Sequence, residues 1–245
     1  MHRSSFFLSL LAGLVVASSC AHRSGQNRKE RNRHYNSVTQ QPAKNSSDLV
    51  VKKSSNRTTL DGAEIFRNYN SAIFMVYTTD GSNVYQGSGF FIGEGGLAVS
   101  NYHVFKGTGI GAEAIKMPND DTAYKVAEIY QRNEDEDFII FRVDYDNDNY
   151  IPIASKRPQI GERVFAIGSP RGLENTFSSG EVSQWRGEYL MQISALIDHG
   201  SSGGALINEY GEVVGITSGT FADGSQANLN YAWSIDVIKP YVKME

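Results

Sequence analysis

Between Asp198 and Leu206 the chain reads Asp-His-Gly-Ser-Ser-Gly-Gly-Ala-Leu. Ser202 stands among glycines just ahead of an apolar run, a setting that suits a hydroxyl held in a tight turn. Glycines there remove side chains, so a substrate carbonyl can come close to backbone N–H groups. The chemistry on offer is acyl transfer through a serine nucleophile. A serine hydroxyl attacks nothing at its free pKa, so it needs a base, normally histidine, and a carboxylate to orient that base. Of the five histidines, His2, His22 and His34 fall in segments that read as unfolded or removed. His199 is three residues from Ser202 in the same turn and is poorly placed to take its proton. His103 is the candidate base.

Gly200-x-Ser202-x-Gly204 also fits a nucleophile elbow, in which the partners follow in the order Ser, Asp/Glu, His. No histidine follows Ser202, so only the order His, Asp, Ser is available. The plain alternative is a Gly/Ser-rich loop without chemistry. A cysteine hydrolase is excluded because the chain has one cysteine, at a position better explained by processing. A metal hydrolase is disfavoured because residues 61–245 hold two histidines and no His-Glu-x-x-His. The reading therefore expects neither a metal nor a cofactor.

The elements that must position these groups begin well inside the chain. Residues 1–20 read as a targeting segment: Arg3 is followed by an apolar stretch from Phe6 to Ala17, too short to span a bilayer comfortably. Ala17-Ser18-Ser19-Cys20 resembles the lipobox of bacterial lipoproteins. That resemblance implies lipidation at Cys20 and a membrane anchor in the cell envelope; an ordinary secretory signal is the other reading. Residues 21–60 are polar, with nine Lys/Arg against Glu30 and Asp48, and read as a disordered basic linker. Residues 61–245 carry 13 Lys/Arg and 25 Asp/Glu and form the folded domain. So acidic a domain argues against nucleic acid as a partner.

From residue 61 the texture changes. Asp61 and Glu64 bracket the first turn of a short capped helix. Short runs rich in β-branched and aromatic residues follow, separated by Gly, Asn and Asp. They are Ala72–Thr78, Val84–Ile92, Leu97–Ser100, Tyr124–Tyr130, Phe138–Val143, Arg163–Ile167, Glu181–Trp185, Tyr189–Ile193, Ala205–Ile207, Val213–Ser218 and Leu229–Trp233. Strands this short and evenly spaced predict an all-β antiparallel sandwich or barrel. Ser234 to Met244 reads as a terminal helix despite Pro240.

Several segments now line up with one family. Gly87-Ser-Gly-Phe-Phe-Ile92, Leu97 to Val104, Asp135 to Val143, Gly168 to Ser183 and Gly200 to Ile216 resemble, in order, the signatures of trypsin-like serine proteases of the HtrA/Deg type. The resemblance covers roughly residues 61–238. It implies two six-stranded antiparallel β-barrels of the chymotrypsin type, with His103 and Asp137 in the first and Ser202 in the second. Asp137 takes the carboxylate role by its place directly before the apolar strand, with Asp135 as its rival. The backbone N–H groups of Gly200 and Ser202 would form the oxyanion hole. Ser218, Gly219 and Thr220 would form the strand that pairs with substrate backbone, and Leu196 and Ile197 would line the primary pocket.

The chain departs from the family at Asp198-His199-Gly200-Ser201. Ser201 replaces the aspartate that trypsin-like zymogens use for activation, so activation by that ion pair is not expected. His199 should lie on the pocket rim, as a solvated side chain. Apolar residues at 196 and 197 favour small aliphatic substrate residues over basic ones. No PDZ domain is expected after the barrels. Family members often trimerise near the start of the first barrel, and the aromatics of Ile65 to Tyr77 suit either that contact or a core. The partners expected are protein or peptide substrates and, through the anchor, a membrane. The competing class is a non-catalytic envelope lipoprotein that uses the same cleft for binding.

Overall fold

The structure, a computed structural model, describes residues 49–55, 58–108, 111–169, 175–220 and 229–245. The targeting segment with Cys20, most of the basic linker and the Pro170 to Glu174 part of the glycine-rich motif lie outside the described residues.

The chain enters through β1 (Val50–Val51) and α1 (Gly62–Tyr69), the helix expected at Asp61. Its start is fixed locally. Asp61 Oδ1 accepts from the Glu64 N–H at 2.8 Å, and the Asp61 N–H donates to Glu64 Oε2 at 2.9 Å, a reciprocal capping box. A 3-10 turn over Asn70–Ala72 leads into the first barrel.

That barrel comprises β2 (Ile73–Thr79), β3 (Val84–Phe91), β4 (Leu97–Ser100), β5 (Glu113–Lys116), β6 (Ala123–Asn133) and β7 (Phe138–Val143). It closes in the order β2-β3-β4-β7-β6-β5. A one-turn helix, α2 (Tyr102–Phe105), follows β4. The second barrel comprises β8 (Arg163–Gly168), β9 (Thr176–Arg186), β10 (Leu190–Ile193), β11 (Ala205–Asn208), β12 (Val213–Thr220) and β13 (Asn230–Ser234). It closes in the order β10-β13-β12-β11-β8-β9, and all pairings within both barrels are antiparallel. The expected fold class, two six-stranded antiparallel barrels, is the one observed.

Closure removes the sheet edges, and each strand pair buries one face inside its own barrel. Phe74, Phe91, Phe105 and Phe141 fill the first interior, with Phe74 and Phe91 ring centroids 4.8 Å apart. Val164, Met191, Leu206 and Val214 fill the second. The largest apolar cluster lies in neither interior: it joins Ile73, Phe90 and Phe138 from the first barrel to Phe165, Ile207 and Ile216 from the second. The barrels are thus held together by a core of their own.

Three sequence expectations need correction. The linker does not run to residue 60: Val51 is fully buried, and β1 pairs in parallel with a final strand, β14 (Lys243–Met244). Leu49, Val50 and Val51 are the apolar break in that polar stretch. The terminal helix is a 3-10 helix confined to Ile235–Tyr241. In an α-helix the Pro240 ring would strike the carbonyl four residues back, so the tighter winding prevails while Ile235, Val237 and Ile238 stay buried. Finally, β5 was absent from the sequence reading: its four residues alternate around a buried Glu113, which breaks the apolar signature.

Candidate active site

Ser202 sits in the loop between β10 and β11, and its neighbours fix the loop by backbone bonds. The Ser201 N–H donates to the Asp198 carbonyl (3.0 Å), the Gly203 N–H to the Thr217 carbonyl (2.7 Å) and the Gly204 N–H to the Ser201 carbonyl (2.9 Å). The Ser202 carbonyl accepts from the Ser88 N–H at 2.8 Å. Gly200 and Gly203 have φ of 93° and 89°, in the left-handed region that glycine tolerates. A Cβ on Gly203 would lie 2.1 Å from the Ser88 carbonyl oxygen and 2.3 Å from the Ser100 hydroxyl, so no side chain fits. Among the described residues, neither the Gly200 nor the Ser202 N–H reaches a backbone acceptor. Both donors remain for a ligand.

The first barrel supplies a histidine–carboxylate pair. His103 lies in α2 directly after β4, and Asp137 closes the turn before β7. Asp137 Oδ1 accepts the His103 backbone N–H at 2.9 Å, and Asp137 Oδ2 lies 2.8 Å from His103 Nδ1. The Ser218 hydroxyl donates to the same Oδ2 at 3.0 Å. Asp137 adopts φ 48°, a strained value for a residue with a side chain. The buried Asn101 holds it there by donating from Nδ2 to the Asp137 carbonyl at 2.9 Å. Asp135, the rival, is exposed in the turn, where its N–H bonds Asn133 Oδ1. The geometry brings Asp137, not Asp135, to the histidine.

The two halves meet at Ser218 and Gly219. A Cβ on Gly219 would lie 3.3 Å from Ser202 Oγ, so the Ser202 hydroxyl faces the segment whose serine grips Asp137. The β12–β13 register shifts between Thr217 and Gly219. Such a bulge re-aims the intervening side chain, and here it turns Ser218 toward the first barrel. Past Ile216, β12 keeps β13 on one side but has no β11 ladder partner on the other among the described residues.

A family model for the trypsin-like peptidase domain matches residues 87–216, which include His103, Asp137 and Ser202. The chain belongs to the trypsin-like peptidase family. Relatives carry the HtrA/Deg likeness read from the sequence. A probable periplasmic serine endoprotease, DegP-like, of Halomonas elongata is 36% identical over 160 residues, covering 62% of this chain and 33% of that protein. The zebrafish (Danio rerio) serine protease HTRA1A is 34% identical over 157 residues, covering 59% and 32%. The crystal structure of the serine endoprotease from Yersinia pestis superposes with a TM-score of 0.64 at 25% identity, over 75% of this chain and 66% of that one. The chain spans about a third of the length of the curated relatives it matches first.

In this peptidase domain a cavity of about 490 Å³ opens beside the Ser202 loop, bordered by Ile167, Phe177, Ile197, Ser201, Thr217 and Asn230. Leu196 and Ile197 both line it, but Ile197 is buried whereas Leu196 is 68% exposed. His199 is exposed, its N–H bonded to Asp198 Oδ1 at 2.7 Å. Thr220 pairs with Asn230 through the backbone; its side chain lies outside the described residues.

Sequence reasoning missed four contributors: Ser88, Asn101, Asn230 and the carboxylate contact of Ser218. Ser88 is fully buried between the barrels. Its hydroxyl donates to the Gly200 carbonyl at 2.7 Å and accepts the Ser169 N–H at 2.8 Å. Ser88 thus pins the peptide that follows the Gly200 N–H. Among the described residues no group of three or more His, Cys, Asp or Glu is placed to hold a metal ion.

Proposed function

We propose that the chain is a serine endopeptidase of the cell envelope, acting through His103, Asp137 and Ser202. The observation that carries this reading is the carboxylate of Asp137. It accepts both the backbone and the Nδ1 proton of His103 while a hydroxyl from the second barrel holds its other lone pair. With Nδ1 engaged as a donor, the Nε2 lone pair is the one free to act as base.

Ser202 Oγ attacks a peptide carbonyl while His103 Nε2 takes its proton. Asp137 keeps the tautomer fixed and stabilises the imidazolium. The developing oxyanion is met by the Gly200 and Ser202 N–H groups, each such donor being worth about 3–4 kcal/mol of barrier. His103 returns the proton to the leaving amine, the amide C–N bond breaks, and an acyl-Ser202 ester remains. Water, deprotonated by His103, hydrolyses the ester and regenerates the hydroxyl. The open side of Ser218 to Thr220 is suited to hydrogen-bond an extended substrate backbone as an added strand, which favours unfolded polypeptides as substrates.

A fluorophosphonate probe tests the mechanism, because it labels only an activated serine. Labelling of the wild type and none of Ser202→Ala or His103→Ala is expected. No labelling of the wild type would reduce the site to a peptide-binding cleft. The envelope location rests on the lipobox-like end of the targeting segment and on relatives named as periplasmic. Cells fed a clickable fatty acid should label the wild type and leave Cys20→Ser unlabelled; equal labelling of both would remove the anchor at Cys20.

A further inference from the structure

The cavity beside Ser201 is more polar than its apolar walls suggest. Asn230, at the start of β13, is 1% exposed and lines it, yet its Oδ1 is buried and meets no hydrogen-bond donor. Two hydroxyls border the same space with their protons directed elsewhere. Thr217 Oγ1 donates to the Ser201 carbonyl at 2.7 Å, and Ser178 Oγ donates to the Leu196 carbonyl at 2.8 Å. A hydroxyl whose proton is committed presents only lone pairs on its other side. Asp198, at the same cavity, contributes a carboxylate. These four groups therefore offer acceptors, and one of them is buried without a partner.

We infer that Asn230 is a specificity-determining residue that selects substrates whose side chain on the acyl side of the scissile bond ends in an N–H donor. The inference rests on the hydrolytic reading of Ser202 and narrows its substrate class. Selection works by a bond gained. An apolar side chain of the same length leaves Asn230 Oδ1 as donorless as it already stands, whereas a carboxamide or ammonium end that reaches it supplies the missing donor. The cavity also exceeds what a small aliphatic residue fills, so the preference implied by Leu196 and Ile197 alone gives way.

Two near-isosteric pairs test this in otherwise identical peptides: glutamine against methionine, and lysine against norleucine, at the residue before the cleaved bond. The expected result is a kcat/KM about tenfold higher for at least one donor-ended member than for its apolar counterpart. The ratio should fall toward one in Asn230→Leu and in Asn230→Ala. If lysine alone wins, Asp198 supplies the charge, and Asp198→Asn should remove the advantage; a glutamine advantage should survive that change. Apolar counterparts cleaved as fast in the wild type, or a ratio unchanged in both Asn230 variants, would overturn the inference. Fluorophosphonate labelling of each protein separates the two levels of the argument. A labelled wild type without the donor preference loses only the role of Asn230, and an unlabelled wild type loses the peptidase reading with it.

Discussion

Ser88 shows how much of this site depends on a group that touches no substrate. Its hydroxyl is the sole described link between the β3 strand and the Gly200 carbonyl, and it adds to the backbone bonds that fix the loop to which the proposed mechanism assigns the oxyanion-hole donors. Ser88→Ala strands a buried N–H, costing about 1–3 kcal/mol if left unpaired, and frees a part-buried carbonyl. We expect kcat to fall about tenfold or more with KM little changed, in a protein that still folds. A kcat equal to wild type would make the hydroxyl merely structural. The same scale shows what the sequence could and could not reveal. His103, Asp137 and Ser202 each stand in a local motif and were legible before any coordinates. Ser88 meets Gly200 across 112 positions, and Ser218 meets Asp137 across 81. No local pattern marks a serine whose partner is that distant, and Asn230 is visible only once the cavity it borders exists.

Elements were legible where periodicity and caps agree. The capping box at Asp61 announces α1, and Asp61→Ala should cost about 1 kcal/mol in a urea titration; a midpoint unchanged from wild type would mean that packing of Ile65 alone holds the helix. Strand ends were less legible, because bulges shift the alternation: β6 carries two register shifts and runs past the stretch read for it at both ends. At β5 a carboxylate sits where an apolar residue is expected. Burial pushes the Glu113 carboxyl above its ordinary value, while the Thr108 hydroxyl and nearby backbone N–H groups pull the other way without prevailing. A raised carboxyl favours the folded state when protonated. That contribution is complete below the unfolded value and is lost as pH rises through the folded one. Glu113→Gln should therefore gain stability on the wild type at about pH 7 and little at about pH 4, read from urea midpoints at both. Equal differences at the two pH values would show that the charge is not felt.

At the scale of the whole molecule, the stretch read as linker proves to be part of the fold. Val51 is fully buried in the cluster shared by the barrels, and the β1–β14 pair continues through a bridge from Lys53 to Ile153. Burying one such valine contributes about 1.5–3 kcal/mol. A domain begun at residue 58 should melt about 5 °C below one begun at residue 49; coincident melting curves would make the pairing incidental. The polar composition of residues 21–48 hid this, since three apolar residues in a row weigh little against the polar stretch before them.

On the proposed mechanism, the division of the site between two barrels also governs when the molecule becomes dangerous to its surroundings. His103 and Asp137 belong to the half synthesised first, and Ser202 to the half synthesised last. Neither half then holds all three groups. A growing chain therefore remains harmless until its final strands have emerged and the two halves have docked, and in a refolding experiment hydrolysis should return only after the circular dichroism of both barrels has recovered.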